Sequence, residues 1–226
     1  MRRTFYILTI VLLAVLTALM LIYDKGTLHL LLCDHHTAAG DVFFPAYTKV
    51  AEWGIYIVVI ALLFYKVGWA TFLLGSSLIA GGVGQIIKHI AHAPRPVTWF
   101  AEHYPDVCLP AIEGIPFRQW NSFPSGHTIT FFCLFLVLTM IIEEILHSHH
   151  SAVGGSIHHS TSLLLFFLAS LGAYSRIYMS MHFAEDVFAG IIIGVVVTGL
   201  LSLILPKLQN TKFWNVSISQ SIQTHR

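Results

Sequence analysis

Three short clusters of polar residues interrupt an otherwise apolar chain. The first runs from Lys88 across six residues to Arg95-Pro96, the second is Pro124-Ser125-Gly126-His127, and the third is Ser175-Arg176, five residues, His182, three residues and Asp186. His182 and Asp186 are four apart, so on a helix they share a face. The carboxylate can then accept a hydrogen bond from one ring nitrogen and leave the other as a nucleophile, which is the base-and-orienter logic of a catalytic triad. His127 is a second imidazole, able to give a proton to a leaving oxygen. Lys88, Arg95 and Arg176 supply positive charge, and the arginines offer the bidentate fork that fits phosphate oxygens. Ser125 and Gly126 open a predicted helix, where free backbone N–H groups and the helix dipole favour an anion. Taken singly, a Lys or Arg at a span end is a snorkelling anchor and Pro-Ser-Gly a turn. Taken together, the residue types point to a phosphoryl group.

The elements that must position these clusters follow from composition. Only 10% of the 226 residues are charged, 56% are hydrophobic, and the mean hydropathy is +0.75. A soluble globule this small exposes most of its surface, and 12 basic and 11 acidic side chains could not keep it in water. Lipid is therefore the expected solvent. A net charge of +1 leaves no basic footprint for nucleic acid and no charge excess for disorder. Cys33, Cys108 and Cys133 show neither CxxC nor Cys/His zinc spacing, so no disulfide framework and no metal site is indicated. The histidines between residues 147 and 159, His147, His149, His150, His158 and His159, read as a polar interfacial turn rather than a metal cluster.

Apolar runs predict six spans, at about 4 to 23, 50 to 66, 69 to 88, 127 to 146, 161 to 178 and 183 to 205. The first is too long for the apolar core of a signal peptide. Backbone in hydrocarbon must satisfy its own hydrogen bonds, so the expected fold is all-α, an integral membrane six-helix bundle forming a single domain over residues 1–226. Gly75, Gly81, Gly82, Gly84, Gly190, Gly194 and Gly199 read as small surfaces for close helix packing. Alternation of six helices brings all three polar clusters to one membrane face, a coincidence not built into the span count. Arg2, Arg3, Lys66, Lys207 and Lys212 fall on the other face, which the charge rule assigns to the cytoplasm. The clusters then lie at the outer face.

At these residues the chain resembles a known family. KHIAHAPRP, FPSGHT and SRIYMSMHFAED are similar to the three signature motifs of the type 2 phosphatidic acid phosphatase superfamily. That superfamily also includes vanadium haloperoxidases, bacterial undecaprenyl-diphosphate phosphatases and lipid A phosphatases. Every signature position is filled: Lys88, Arg95, Pro96, Pro124, Ser125, Gly126, His127, Ser175, Arg176, His182 and Asp186. The resemblance implies a reaction without metal or cofactor, through a phosphohistidine. His182 attacks phosphorus, Asp186 holds its ring, and His127 protonates the departing oxygen. Lys88, Arg95, Ser125, Gly126 and Arg176 cradle the phosphoryl oxygens. It also implies a lipid phosphate substrate met at the periplasmic face of a bacterial inner membrane. Lipid A leads, because NSFPSGHT and SRIYMSMHF look most like that subgroup. Undecaprenyl diphosphate, phosphatidylglycerol phosphate and phosphatidate are the alternatives. A lipid phosphotransferase and an anion or phospholipid transporter are competing readings, and the oligomeric state is left open.

Other segments carry softer expectations. Residues 97 to 122, with Trp99, Phe100, His103, Tyr104, Phe117, Arg118 and Trp120, are expected at the interface, either recognising a headgroup or forming an aromatic belt. Leu28 and Leu30 to Leu32 suggest a short helix on the membrane surface. Cys33 and Cys108 share the outer face, where a bond between them is open.

Overall fold

The computed structural model describes residues 1–148 and 155–218. Among these, helices α1 (Arg2–Ile22), α2 (Lys25–Cys33), α3 (Ala38–Thr48), α4 (Gly54–Tyr65), α5 (Val67–Ala91), α6 (Pro96–His103), α7 (Gly126–Ser148), α8 (Gly155–Tyr178), α9 (Ala184–Ser202), α10 (Leu205–Gln209) and α11 (Lys212–Asn215) follow in order. Five of them, α1, α5, α7, α8 and α9, are long and apolar enough to cross a bilayer. The sixth span differs from the expected run at 50 to 66. It is a bent pair in which α3 and a 3₁₀ turn at Lys49–Ala51 meet α4 at 47°. At 1.5 Å per residue the 12 residues of α4 reach only ~18 Å, short of a ~30 Å hydrocarbon core, so α3 must supply the rest.

α7 is the central helix, packed by α5, α8 and α9. Phe131, Phe132, Cys133, Leu136 and Val137 on it are wholly buried. α1 lies outside, with Ile7, Ile10, Val11 and Val15 exposed, as lipid-facing side chains are. Close approach of α9 to α7 needs two glycines. A Cβ at Gly190 would sit 2.8 Å from the Ser125 carbonyl oxygen, and one at Gly194 2.8 Å from that of Ile129. Gly84 and Gly199 also face neighbours. Gly75, Gly81 and Gly82 do not: among the described residues an added Cβ there meets nothing within 4 Å, so these three do not pack against another helix of this bundle, and Gly81 lines a cavity instead. Gly190→Ala should therefore wedge the start of α7, cost about 1–3 kcal/mol of overpacking and lower activity. Gly82→Ala should change neither the thermal unfolding midpoint in detergent nor the rate, and equal behaviour of the two variants would contradict this packing.

The two ends of the bundle differ. At one, Lys66 Nζ lies 2.7 Å from Glu144, Arg2 Nε 2.5 Å from Glu143, and Gln209 donates to Glu144 at 2.6 Å. The polar clusters gather at the other end. There Asp24 caps α2 by accepting from the Thr27 N–H at 3.0 Å. Leu28, His29 and Cys33 are buried, so the predicted short helix leans on the protein, with Leu31 left exposed. Lys25 ties α2 to the head of α9 through Glu185, 2.6 Å away, and lies 4.1 Å from the centre of the Phe183 ring. All three cysteines are free thiols, so Cys33 and Cys108 are not joined. His147 lies in the last turn of α7 and His158 and His159 near the start of α8, while His149 and His150 lie outside the described residues.

Candidate active site

Each cluster is delivered by a helix end. Lys88 rides the last turn of α5, which stops at His92 in a left-handed conformation (φ 40°). Pro96 then starts α6, a position where the missing N–H costs nothing. Between them, residues 93 to 95 pair with 119 to 122: the Arg95 N–H donates to the Gln119 carbonyl (2.8 Å) and the Ser122 N–H to that of Ala93 (3.0 Å). α8 closes on itself, with the N–H groups of Met181 and His182 both donating to the Arg176 carbonyl, at 2.9 and 3.1 Å. Asp186, in the first turn of α9, reaches back to accept the Phe183 N–H at 2.9 Å, the carboxylate half of a capping box.

Lys88, Arg95, Gly126, His127, Arg176 and His182 all line one cavity of about 300 Å³. Ser125 and Asp186 sit behind its wall, each buried. Asp186 accepts from three donors: the Phe183 N–H, His182 Nδ1 at 3.3 Å, and the Ser122 hydroxyl in a short bond. With Nδ1 so held, Nε2 is the His182 nitrogen without a partner on Asp186. Burial, then Arg95, Arg176, Lys88 and His127, hold the His182 pKa well below the ordinary 6.5. The ring is therefore neutral at neutral pH, with a lone pair on one nitrogen.

The anion-binding groups divide in a way their spacing did not reveal. Arg95 spends Nε on the Trp120 carbonyl (2.9 Å), one terminal nitrogen on that of Met181 (2.8 Å) and the other on that of Asn121 (3.4 Å). It straps two loops together as well as charging the cavity. Burial and then Arg118 push its pKa down to about 10, which leaves it protonated at neutral pH. Arg176 donates to Thr48 Oγ1 at 2.7 Å, yet its buried Nε has no partner, a donor that an incoming oxygen would satisfy. The Ser125 N–H, expected to be free for an anion, instead donates to the Asp186 carbonyl at 3.0 Å. Ser125 Oγ accepts from Thr128 Oγ1 at 2.9 Å, leaving its own hydroxyl hydrogen to give.

Two charged residues outside the three clusters also line the cavity. Arg118 adds a fourth cation, and Glu52 lies 3.0 Å from His127 Nε2. Trp120, grouped with Arg118 in the aromatic segment, stacks on His92 away from the cavity. A lone acid inside an apolar span was the signal for Glu52, since ionisable residues in membrane segments are functional by default. A second chamber of about 190 Å³ shares Glu52, Arg118, His127 and Arg176 and adds Lys49 and Met179. A cleft of about 510 Å³ at the far end, bounded by Glu143, Glu144 and His147, is larger. Its carboxylates already have partners, and it holds no imidazole backed by a buried carboxylate. Among the described residues no group of three metal-ligating side chains occurs.

A helical membrane bundle with a cationic pocket, two imidazoles and a buried orienting carboxylate defines a phosphoryl-handling class. The description "PAP2 superfamily" matches residues 69–210, and the chain belongs to that superfamily. The Arabidopsis thaliana lipid phosphate phosphatase delta is 29% identical over 187 residues, 78% of this chain. The chain spans about two fifths, 42%, of that relative's length. Two solved structures share the fold. LpxE of Aquifex aeolicus has a TM-score of 0.63 and 23% identity, over 80% of this chain and 96% of its own. The first transmembrane PAP2 type phosphatidylglycerolphosphate phosphatase from Bacillus subtilis has a TM-score of 0.64 and 17% identity, over 94% and 98%.

Proposed function

We propose that the chain, acting as one unit over residues 1–226, is an integral membrane phosphatase that hydrolyses a lipid-linked phosphate through a phosphohistidine. Lipid A at the periplasmic face of a bacterial inner membrane is the leading substrate. The observation that carries this reading is the single cavity shared by His182 and His127, with His182 Nδ1 on a buried carboxylate and four cations around it. His182 Nε2 forms a bond to phosphorus as the ester bond breaks, and His127 gives the leaving oxygen its proton. Lys88, Arg118 and Arg176 hold the phosphoryl oxygens, with Arg95 adding charge while it fixes the loops. Ser125 gives its hydroxyl hydrogen, and Gly126 lets the backbone approach. Water, deprotonated by the now neutral His127, then cleaves the phosphorus–nitrogen bond and the electron pair returns to His182.

The experiment is a phosphate-release panel of lipid A, undecaprenyl diphosphate, phosphatidylglycerol phosphate and phosphatidate at equal detergent mole fraction with chelator. Release of phosphate from lipid A well above the other three is expected. Release that requires a lipid acceptor would instead indicate a phosphotransferase, and none from any lipid a carrier.

Arg118 lines both chambers, so it meets the substrate on either side of His127. Arg118→Ala should raise KM about tenfold or more, the scale of a lost charged hydrogen bond, and shift the preference among the four lipids. Trp120→Ala should leave that preference unchanged. Identical selectivity in Arg118→Ala and the wild type would mean that this segment only anchors.

A further inference from the structure

Glu52 is the only carboxylate among the described residues that lines the catalytic cavity. It stands where the 3₁₀ turn ends, its N–H bonded to the Lys49 carbonyl at 3.0 Å, so the bend between α3 and α4 is what carries it inward. The charged and titratable groups that share a chamber with His127 are Glu52 and Lys49 from this bend, Arg176 from α8, Arg118 from the long loop, His182 from the α8–α9 turn, Lys88 from α5 and Arg95 ahead of α6. Five of these are cations and disfavour a charged imidazole. A general acid must nevertheless begin its cycle protonated. Glu52 is the one neighbour that favours the imidazolium.

We propose that Glu52 is a positioning residue for His127: it accepts the Nε2–H, fixes the ring and sustains its charged form, so that Nδ1 carries the proton delivered to the leaving oxygen. The site then holds two carboxylate–imidazole pairs of opposite sense, Asp186 on Nδ1 of the nucleophile and Glu52 on Nε2 of the acid. The assignment rests on the phosphatase reading and adds to it. In the first step the His182 Nε2 pair forms the bond to phosphorus, the ester electron pair leaves on oxygen, and that oxygen takes the Nδ1 proton. His127, now neutral with Nε2–H still on Glu52, accepts a proton from water in the second step, and the charged pair is restored. No other reactant is consumed.

The test compares Glu52→Gln and Glu52→Asp with wild type on a lipid phosphate and on p-nitrophenyl phosphate, whose leaving group needs little protonation. Loss of one carboxylate charge should move the alkaline limb of kcat/KM down by about one pH unit. At neutral pH fewer molecules then carry the proton, and kcat on the lipid should fall about 3- to 10-fold, with little change on the aryl ester. Glu52→Asp should recover part of the loss, and Glu52→Gln should add nothing in a His127→Ala background. Equal losses on both substrates with an unmoved pH profile would overturn the proposal. The His127 titration, read by NMR of imidazole-labelled protein in micelles, keeps the two readings apart. Its midpoint should fall in Glu52→Gln, and an unmoved midpoint overturns the proposal whatever the activity. Wild-type protein lacking His182-dependent phosphate release would sink the phosphatase reading by itself.

Discussion

His182→Ala is expected to abolish turnover, with a loss of roughly 10⁴- to 10⁶-fold in kcat, the range seen when a covalent nucleophile or its partner is removed. No phosphorylated intermediate should be trapped in rapid-quench experiments. The ring is buried, pinned at Nδ1 by Asp186, and opens to the cavity on its other side. Among the described residues, no other side chain lining the cavity combines a free ring nitrogen with a buried carboxylate partner. The same environment fixes a pH dependence. Because burial and the surrounding cations lower the His182 pKa, the nucleophilic neutral form persists as pH falls through 6.5 and is lost only below it. The acid limb of kcat/KM should therefore lie below 6.5. Substantial phosphate release by purified His182→Ala protein would remove the basis of the mechanism.

His127→Ala should cost ~10² to 10⁴ in kcat on a lipid alkoxide leaving group, the usual contribution of a positioned general acid. Unlike the first variant it should still form some phosphoenzyme, slowly, because the nucleophile and the cations remain. The loss should shrink on an aryl phosphate, whose phenoxide departs without help. A defect of equal size on both esters would assign His127 to binding rather than to proton transfer.

Much of the site was legible before any fold was known, for a physical reason. In a chain this apolar every ionisable residue is costly, so Lys88, Arg95, Arg176 and Asp186 stand out against a quiet background. Spacing on helix faces then pairs His182 with Asp186. What spacing could not supply was the direction of backbone groups in the loops. The Ser125 N–H was assigned to an anion, whereas the first turn of α9 brings the Asp186 carbonyl within its reach. Arg95 looked like a pure phosphate ligand, and its ties to residues 120, 121 and 181 depend on loops that have no periodicity to read. Glu52 escaped because residues 50 to 66 read as one uninterrupted run. The break falls at Glu52 and Trp53, while Pro45, the residue that sequence rules would use to end a helix, sits inside α3. Gly75, Gly81 and Gly82 were over-read for the converse reason: a small residue marks a contact only if a neighbour is there to use it.

The backbone bond from Ser125 to the Asp186 carbonyl joins the residue just ahead of α7, the helix that carries His127, to the first turn of α9, the helix that carries Asp186. Gly190 allows these two chain segments to touch where they cross. A tilt of either long helix is therefore expected to pivot about this joint, so that in the proposed mechanism the proton donor and the attacking nitrogen keep their separation better than the far ends of the bundle do.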